Sequence, residues 1–197
     1  MKVLLSAPRA GSSYAYESVH QHNLTLPNVK YIGVEEYLDP NQMSHLSLDQ
    51  KIKFLNDEKE YGVNYTFKHH INYLGDYYEN WFEEFYKDDD IIILKRKDTW
   101  KWFLSFLFQD FVGWKLAHFD KHTTIDIEKY WIEYDHNQTV HQFFDIKSQL
   151  DRCKGNILYY EDLKHKATKN KKLSDYICYG DYFPNINRIK KDFNNYD

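Results

Sequence analysis

Cysteine is nearly absent. Cys153 and Cys178 are the only two in 197 residues, which leaves no disulfide framework and no cysteine-spaced metal cluster. Seven glycines and four prolines are too few for collagen-like or linker-like material. No apolar run approaches the roughly 20 residues that cross a bilayer. The opening Met1-Lys2-Val3-Leu4-Leu5, with Pro8-Arg9 close behind, is too short for a secretion signal. A reducing, cytoplasmic setting is therefore expected, in which the N-x-[ST] sequons at Asn23, Asn64 and Asn137 are chance matches. Neither sign of charge dominates: 26 Lys+Arg against 30 Asp+Glu give a net −4, which argues against a nucleic-acid partner. What is abundant is aromatic side chains, 18% of the chain. With 42% hydrophobic residues, the chain can bury the core of one ordinary domain, so a single domain over residues 1–197 is expected.

Apolar periodicity gives an alternating series of elements. Short apolar runs at residues 3–7, 29–34, 64–71, 91–94 and 156–160 read as strands. Helical spacing predicts helices over 12–21, 47–60 (capped by Ser47), 73–86, 98–112 and 127–153, the last with a break near His136-Asn137, and a short helix from Glu161. Ser12 or Ser13 is the natural cap of the first helix. Ile91-Ile92-Ile93-Leu94 suits a parallel strand covered on both faces. Strands alternating with helices imply an α/β fold with a mainly parallel central sheet flanked by helices. From Arg152 to Lys191 there are ten Lys/Arg against four Asp/Glu, so the C-terminal part, from about residue 164, reads as a basic segment on an acidic body.

Three motifs sit at predicted strand ends. The first is Pro8-Arg9-Ala10-Gly11-Ser12-Ser13-Tyr14 between strand and helix, where backbone N–H groups, two hydroxyls and a guanidinium can surround a phosphate or sulfate. It is not a Walker A loop, because G-x-x-x-x-G-K-[ST] is absent. The second is Lys95-Arg96-Lys97 leaving the apolar strand, with Ser105 about two helical turns on. The third is Tyr160-Glu161-Asp162-Leu163, whose acids also suit a helix N-terminus with no functional role. Aromatics at helical spacing, Trp81, Phe82, Trp100, Trp102, Phe103, Phe106 and Trp114, read as core more readily than as a pocket wall. No metal site is expected: His69-His70 lacks spaced partners, and His118 with His122 lacks the glutamate of H-E-x-x-H.

Taken in order, these motifs resemble those of the sulfotransferases that use 3′-phosphoadenosine 5′-phosphosulfate (PAPS). The first loop is similar to that family's P-[KR]-[SA]-G-[ST]-[ST]. Arg96 or Lys97 with Ser105 is similar to its basic strand end and later serine, and Tyr160 to Leu163 match its Y-E-D-L. Lys68-His69-His70 is similar to the K-x-H that supplies a catalytic histidine in the cytosolic branch. The resemblance implies a P-loop-like sulfotransferase fold and transfer of a sulfuryl group to a hydroxyl or amine of a small-molecule or glycan acceptor. Adenosine 3′,5′-bisphosphate would be the product, and no metal would be needed. It places Arg9 beside the leaving phosphate, Gly11, Ser12 and Ser13 around the phosphosulfate, and Tyr14 against adenine, with Tyr160 near the base. Arg96 (or Lys97) and Ser105 fall to the 3′-phosphate and His70 to the acceptor proton, with His69 or a carboxylate as the other choices for the base.

Some features depart from the family. Arg9 stands where the small-molecule branch has lysine and the carbohydrate branch often has arginine. The loop that closes over the 3′-phosphate has no clear match, and the basic tail, with Asn187, Arg188 and Lys190, is the expected substitute. The chain is short for the family, so a compact pocket or a second subunit, as in a homo-oligomer, is expected to complete the acceptor side. The competing readings are a nucleotide or small-molecule kinase, against which the missing P-loop lysine counts, and a non-catalytic nucleotide-binding protein.

Overall fold

A computed structural model describes residues 2–24, 31–35, 44–62, 64–71, 90–112, 136–163 and 185–196. The elements are β1 (Lys2–Ser6), α1 (Ser12–Leu24), β2 (Tyr31–Glu35), α2 (Leu48–Glu60), β3 (Asn64–His70), β4 (Asp90–Lys95), α3 (Thr99–Val112), α4 (His136–Arg152), β5 (Asn156–Tyr159), a 3₁₀ turn (Tyr160–Asp162) and α5 (Ile186–Asn194). The helix expected over 73–86 lies outside the described residues, as do Trp81, Phe82, Trp114, His118, His122, Cys178 and the 127–135 stretch. The chain divides into two compact units, Met1–Lys97 with Gln149–Ala167, and Asp98–Ser148 with Thr168–Asp197.

The first unit is built on a five-stranded sheet in the order β2-β3-β1-β4-β5. All four pairings are parallel, with Ser6 opposite His70, Leu5 opposite Ile93 and Lys95 opposite Tyr159. Burial explains the centre of that order. Val3, Leu4 and Leu5 on β1 and Leu94 on β4 are fully buried and Ile93 nearly so, the continuous apolar type that parallel strands covered by helices require. α1 packs on β1, β2 and β3, with Ala15 and Tyr16 buried. α2 begins with a capping box: Gln50 N–H donates to Ser47 Oγ at 3.2 Å, and Ser47 N–H donates to the Gln50 side chain at 2.8 Å. Two orphan donors are satisfied at once.

The order also creates a topological switch point. From β1 the chain continues to β2 on one side of the sheet, while from β4 it continues to β5 on the other. β1 and β4 are hydrogen-bonded neighbours, so their carboxyl ends flank a topological switch point, the place where open α/β sheets bind ligands. Because every pairing is parallel, the last residues of β3, β1, β4 and β5 share that edge.

In the second unit, Asp98 caps α3 by accepting the Lys101 N–H at 2.9 Å. Phe143 of α4 lies 4.9 to 5.7 Å, ring centre to ring centre, from Trp102, Phe103 and Phe106 of α3. Phe193 of α5 lies 4.9 Å from Phe103 and 5.0 Å from Phe144. Tilted and edge-on pairs at these separations each add about 0.5–1.5 kcal/mol beyond their area burial. The expectation that Trp102 and Phe103 are core therefore holds. α5 is not legible as a helix in a segment chosen for its charge. It forms because Ile189 and Phe193, four residues apart, are both buried and make one apolar stripe. Among the described residues no helix is long and apolar enough to cross a membrane.

Candidate functional site

The loop after β1 takes its shape from a few backbone constraints. Ala10 N–H donates to Ala7 C=O at 3.2 Å, closing a four-residue turn with Pro8 second and Arg9 third. Pro8 suits the second place of a type II turn, whose third residue needs positive φ and is normally glycine. Arg9 occupies it, with φ 64°. Gly11 is the next inversion, with φ 91°, while Ala10 and Ser12 lie in the ordinary negative-φ half. This positive, negative, positive alternation of φ is a feature shared with the nests whose N–H groups converge on anions. An arginine held in the left-handed region costs about 1–2 kcal/mol relative to its ordinary conformations.

The sequence reading gave the cap of α1 to Ser12 or Ser13, and the structure corrects this. Ala15 N–H donates to Gly11 C=O at 3.1 Å, so Gly11 is the cap residue and both serines lie in the first turn of the helix. Their N–H groups belong to the turn that has no intrahelical acceptor. Gly11 is required twice over: besides its φ, a Cβ there would sit 2.3 Å from the Tyr160 ring.

Both hydroxyls are held from β3. Ser12 Oγ and His70 Nε2 share a buried hydrogen bond of 3.3 Å, and Lys68 Nζ donates to Ser13 Oγ at 2.9 Å. Lys68 and His70 are two apart on a strand, so they project from the same face and reach consecutive residues of the helix start. Ser12, Lys68 and His70 are each at most 9% exposed, so the local dielectric is low and a charge-assisted contact there is strong. Lys68 was absent from the site residues drawn from the sequence, although the same period-two spacing to His70 was available to find it. His69, the alternative base, points its backbone carbonyl at Ser6, whose Oγ donates to it at 3.3 Å.

The β4 end is organised differently. Lys95 Nζ donates to Asp151 at 2.7 Å. Lys97 N–H donates to Glu161 at 3.0 Å, and its ammonium is bonded to Asp162. The Asp162 hydrogen bond, against a smaller burial effect, raises the Lys97 pKa above its ordinary value. The short helix expected from Glu161 is a three-residue 3₁₀ turn, Tyr160–Asp162, with both acids in its first turn, and both acids also close onto the basic turn. Arg96 is the exception among the three cations. Its Nε is 3.7 Å from Glu161, beyond hydrogen-bond range, and that buried atom has no hydrogen-bond partner. The guanidinium instead lies over the Tyr160 ring, 4.5 Å from its centre, a cation–π contact.

Tyr160 ties the two ends together, touching Gly11 on one contact and Arg96 on another, with Tyr14 edge-on at 6.1 Å. Of the residues singled out from sequence, Arg9, Gly11, Ser12, Ser13, Tyr14, His70, Arg96, Lys97 and Tyr160 thus lie in the first unit at the carboxyl edge of its sheet. Ser105, buried on α3, and Arg188, exposed on α5, belong to the second unit. Among the described residues no group of three His, Cys, Asp or Glu could hold a metal ion. No protein-family model matches the chain, and no curated protein or solved structure resembles it at a significant level.

Proposed function

We propose that the protein is a sulfotransferase that uses PAPS, on a P-loop-like variant of the α/β fold. The observation that carries this reading is the loop from Pro8 to Ser13, an anion cradle at the switch point with alternating φ signs and two hydroxyls in its first helical turn. Arg96 supplies a second anion position beside it, because its buried Nε lacks a hydrogen bond. Two separate anion positions bridged by the aromatic Tyr160 suit a nucleotide charged at both the 5′ and 3′ positions. A single triphosphate chain would need only one.

The chemistry would run as follows. The bound donor supplies an electrophilic sulfur. The acceptor oxygen bonds to it as the bond from sulfur to the bridging phosphate oxygen breaks, and the departing electron pair stays on that oxygen. Arg9 and the N–H groups of Gly11, Ser12 and Ser13 stabilise the charge that collects there. Lys68, beside Ser13, adds positive charge at the same point. His70 Nε2 takes the proton of the acceptor hydroxyl or amine. Arg96 holds the 3′-phosphate, which does not react, and Tyr14 and Tyr160 face the adenine. Ser105 and Arg188 remain expectations of the resemblance, as do the small-molecule or glycan class of the acceptor, a homo-oligomer and a cytoplasmic location.

Calorimetric titration with adenosine 3′,5′-bisphosphate and with ADP tests the donor end. At least tenfold tighter binding of the bisphosphate is expected. Equal affinities, or a preference for ADP, would remove the sulfotransferase reading and favour a kinase-like enzyme. Incubation with labelled PAPS and a panel of metabolites and glycans then separates an enzyme from a protein that only binds the nucleotide.

A further inference from the structure

The Ser12–His70 hydrogen bond poses a conflict of roles. A serine hydroxyl has one proton to donate. That hydroxyl is engaged with His70 Nε2 at 3.3 Å, as the donor in the tautomer whose Nε2 carries no proton, and Nε2 is the nitrogen assigned to accept a proton from the second substrate. The same hydroxyl lies in the first turn of α1, at the anion cradle. Ser13 differs: it accepts from Lys68 at 2.9 Å, which leaves its own proton to give to an anion.

We infer that Ser12 gates His70: its hydroxyl caps Nε2 until an anionic donor fills the loop, and the donor uncovers the base by taking the hydroxyl for itself. An O–H bond to a phosphate or sulfate oxygen is roughly twice as strong as one between neutral groups. When such an anion enters, the one proton therefore turns from the imidazole to the anion. Ser12 is 6% exposed and His70 9% exposed, so bulk water does not readily take over either role. The two events exclude one another through a single rotatable side chain, which makes the device a switch of two arrangements. The functional consequence is an order of assembly. The donor binds first, and only then does Nε2 become available to the acceptor. Ser12 is on this account a positioning residue, and the inference rests on the donor reading above.

Side-chain nitrogen NMR on histidine-labelled protein tests it, with adenosine 3′,5′-bisphosphate as the probe and His70→Asn to assign the resonance. In the free wild type, His70 should show an unprotonated Nε2 that accepts a hydrogen bond, and saturating bisphosphate should move that resonance to the position of an uncapped nitrogen. Ser12→Ala should show the uncapped position before any ligand is added, and should bind the bisphosphate about tenfold more weakly for the lost charge-assisted bond. Ser12→Thr, which keeps the hydroxyl, should restore the ligand-dependent movement, and Ser13→Ala should retain it. A protonated Nε2 in the free protein would overturn the gate, as would an identical response in wild type and Ser12→Ala. Should Ser12→Ala not fold, the wild-type comparison with and without bisphosphate decides alone. If the bisphosphate does not bind at all, the donor reading falls and takes the gate with it. If it binds and moves other resonances while His70 stays still, only the gate falls.

Discussion

The two ends of the sheet's carboxyl edge treat positive charge in opposite ways. Where β3 meets the loop after β1, Lys68 and His70 reach hydroxyls, Ser13 and Ser12, and the backbone itself is bent to present N–H groups. Where β4 meets β5, three consecutive cations face three carboxylates, Asp151, Glu161 and Asp162. The sequence is most basic at the second place, yet two of its cations, Lys95 and Lys97, are committed to acids. Arg96 differs in that its buried Nε, 3.7 Å from Glu161, makes no hydrogen bond, and on the proposed reading that makes it the donor kept for an anion. At the other end backbone conformation is the distinguishing feature, with one arginine and one glycine at positive φ.

The comparison is broken most severely at Arg9. Arg9→Ala is expected to lower turnover by about 10²–10³-fold, the usual loss when a donor to developing negative charge is removed. The measurement is sulfuryl transfer to whichever acceptor the panel returns. Arg9→Gly separates charge from strain. It should be as inactive as Arg9→Ala but more stable than it by about 0.5–1 kcal/mol, because glycine escapes the left-handed penalty and returns only part of it as unfolded-chain entropy. Equal melting temperatures for the two variants would mean that the positive φ stores no strain.

Gly11→Ala comes next. It places a methyl group where the Tyr160 ring already lies and forces a left-handed alanine, so bisphosphate affinity should fall by about 100-fold, with lower stability. Adding Tyr160→Ala should recover the part due to collision and none of the part due to φ, which a double-mutant cycle by calorimetry would resolve. Full recovery would show that the loop needs room and not a left-handed residue.

Much of this edge could be read in advance, and what could not be read has definite physical reasons. The described strands fall within about two residues of their apolar runs, because burial on both faces leaves a continuous signal at 3–7 and 91–94. Parallel pairing followed from the alternation with helices, but the order of strands did not, since it is set by which faces pack and not by any local pattern. The positive φ of Arg9 was hidden because arginine has no preference for it; the turn imposes it after Pro8. The closure of Glu161 and Asp162 onto Lys97 was hidden because it joins residues 64 and 65 positions apart, a separation that local charge rules do not reach.

The contrast within the basic turn sharpens next. Arg96→Ala should weaken bisphosphate binding by about 10- to 100-fold with little effect on the rate at saturating donor, since the 3′-phosphate does not react. Lys97→Ala should change that affinity by less than about twofold, because a mostly exposed cation already paired with Asp162 contributes little to a neighbouring site. Calorimetry on the two single variants is enough. Losses of similar size would show that pairing does not withdraw a cation from the anion site.

The smallest effect concerns what the Lys97–Asp162 pair does for the fold. The Asp162 bond raises the Lys97 pKa in the folded protein above the ordinary 10.5. A group whose folded pKa is raised contributes stability that is fully present below the unfolded value and is lost as the pH climbs through the folded one. The ammonium is charged in both states throughout the neutral range, so Lys97 adds no slope to the stability curve there. Its partners are 53% exposed on each side, and salt screens such pairs. Lys97→Met should therefore melt within replicate scatter of the wild type at pH 7. Any small difference should stay level from about pH 6 to 9, shrink in high salt, and start to fade only as the pH climbs above about 10.5. A variant that melts clearly lower at neutral pH would make the pair a clasp between the β4 end and the 3₁₀ turn. The division between the hydrogen-bonded cations and Arg96 would then be one of folding as well as of binding.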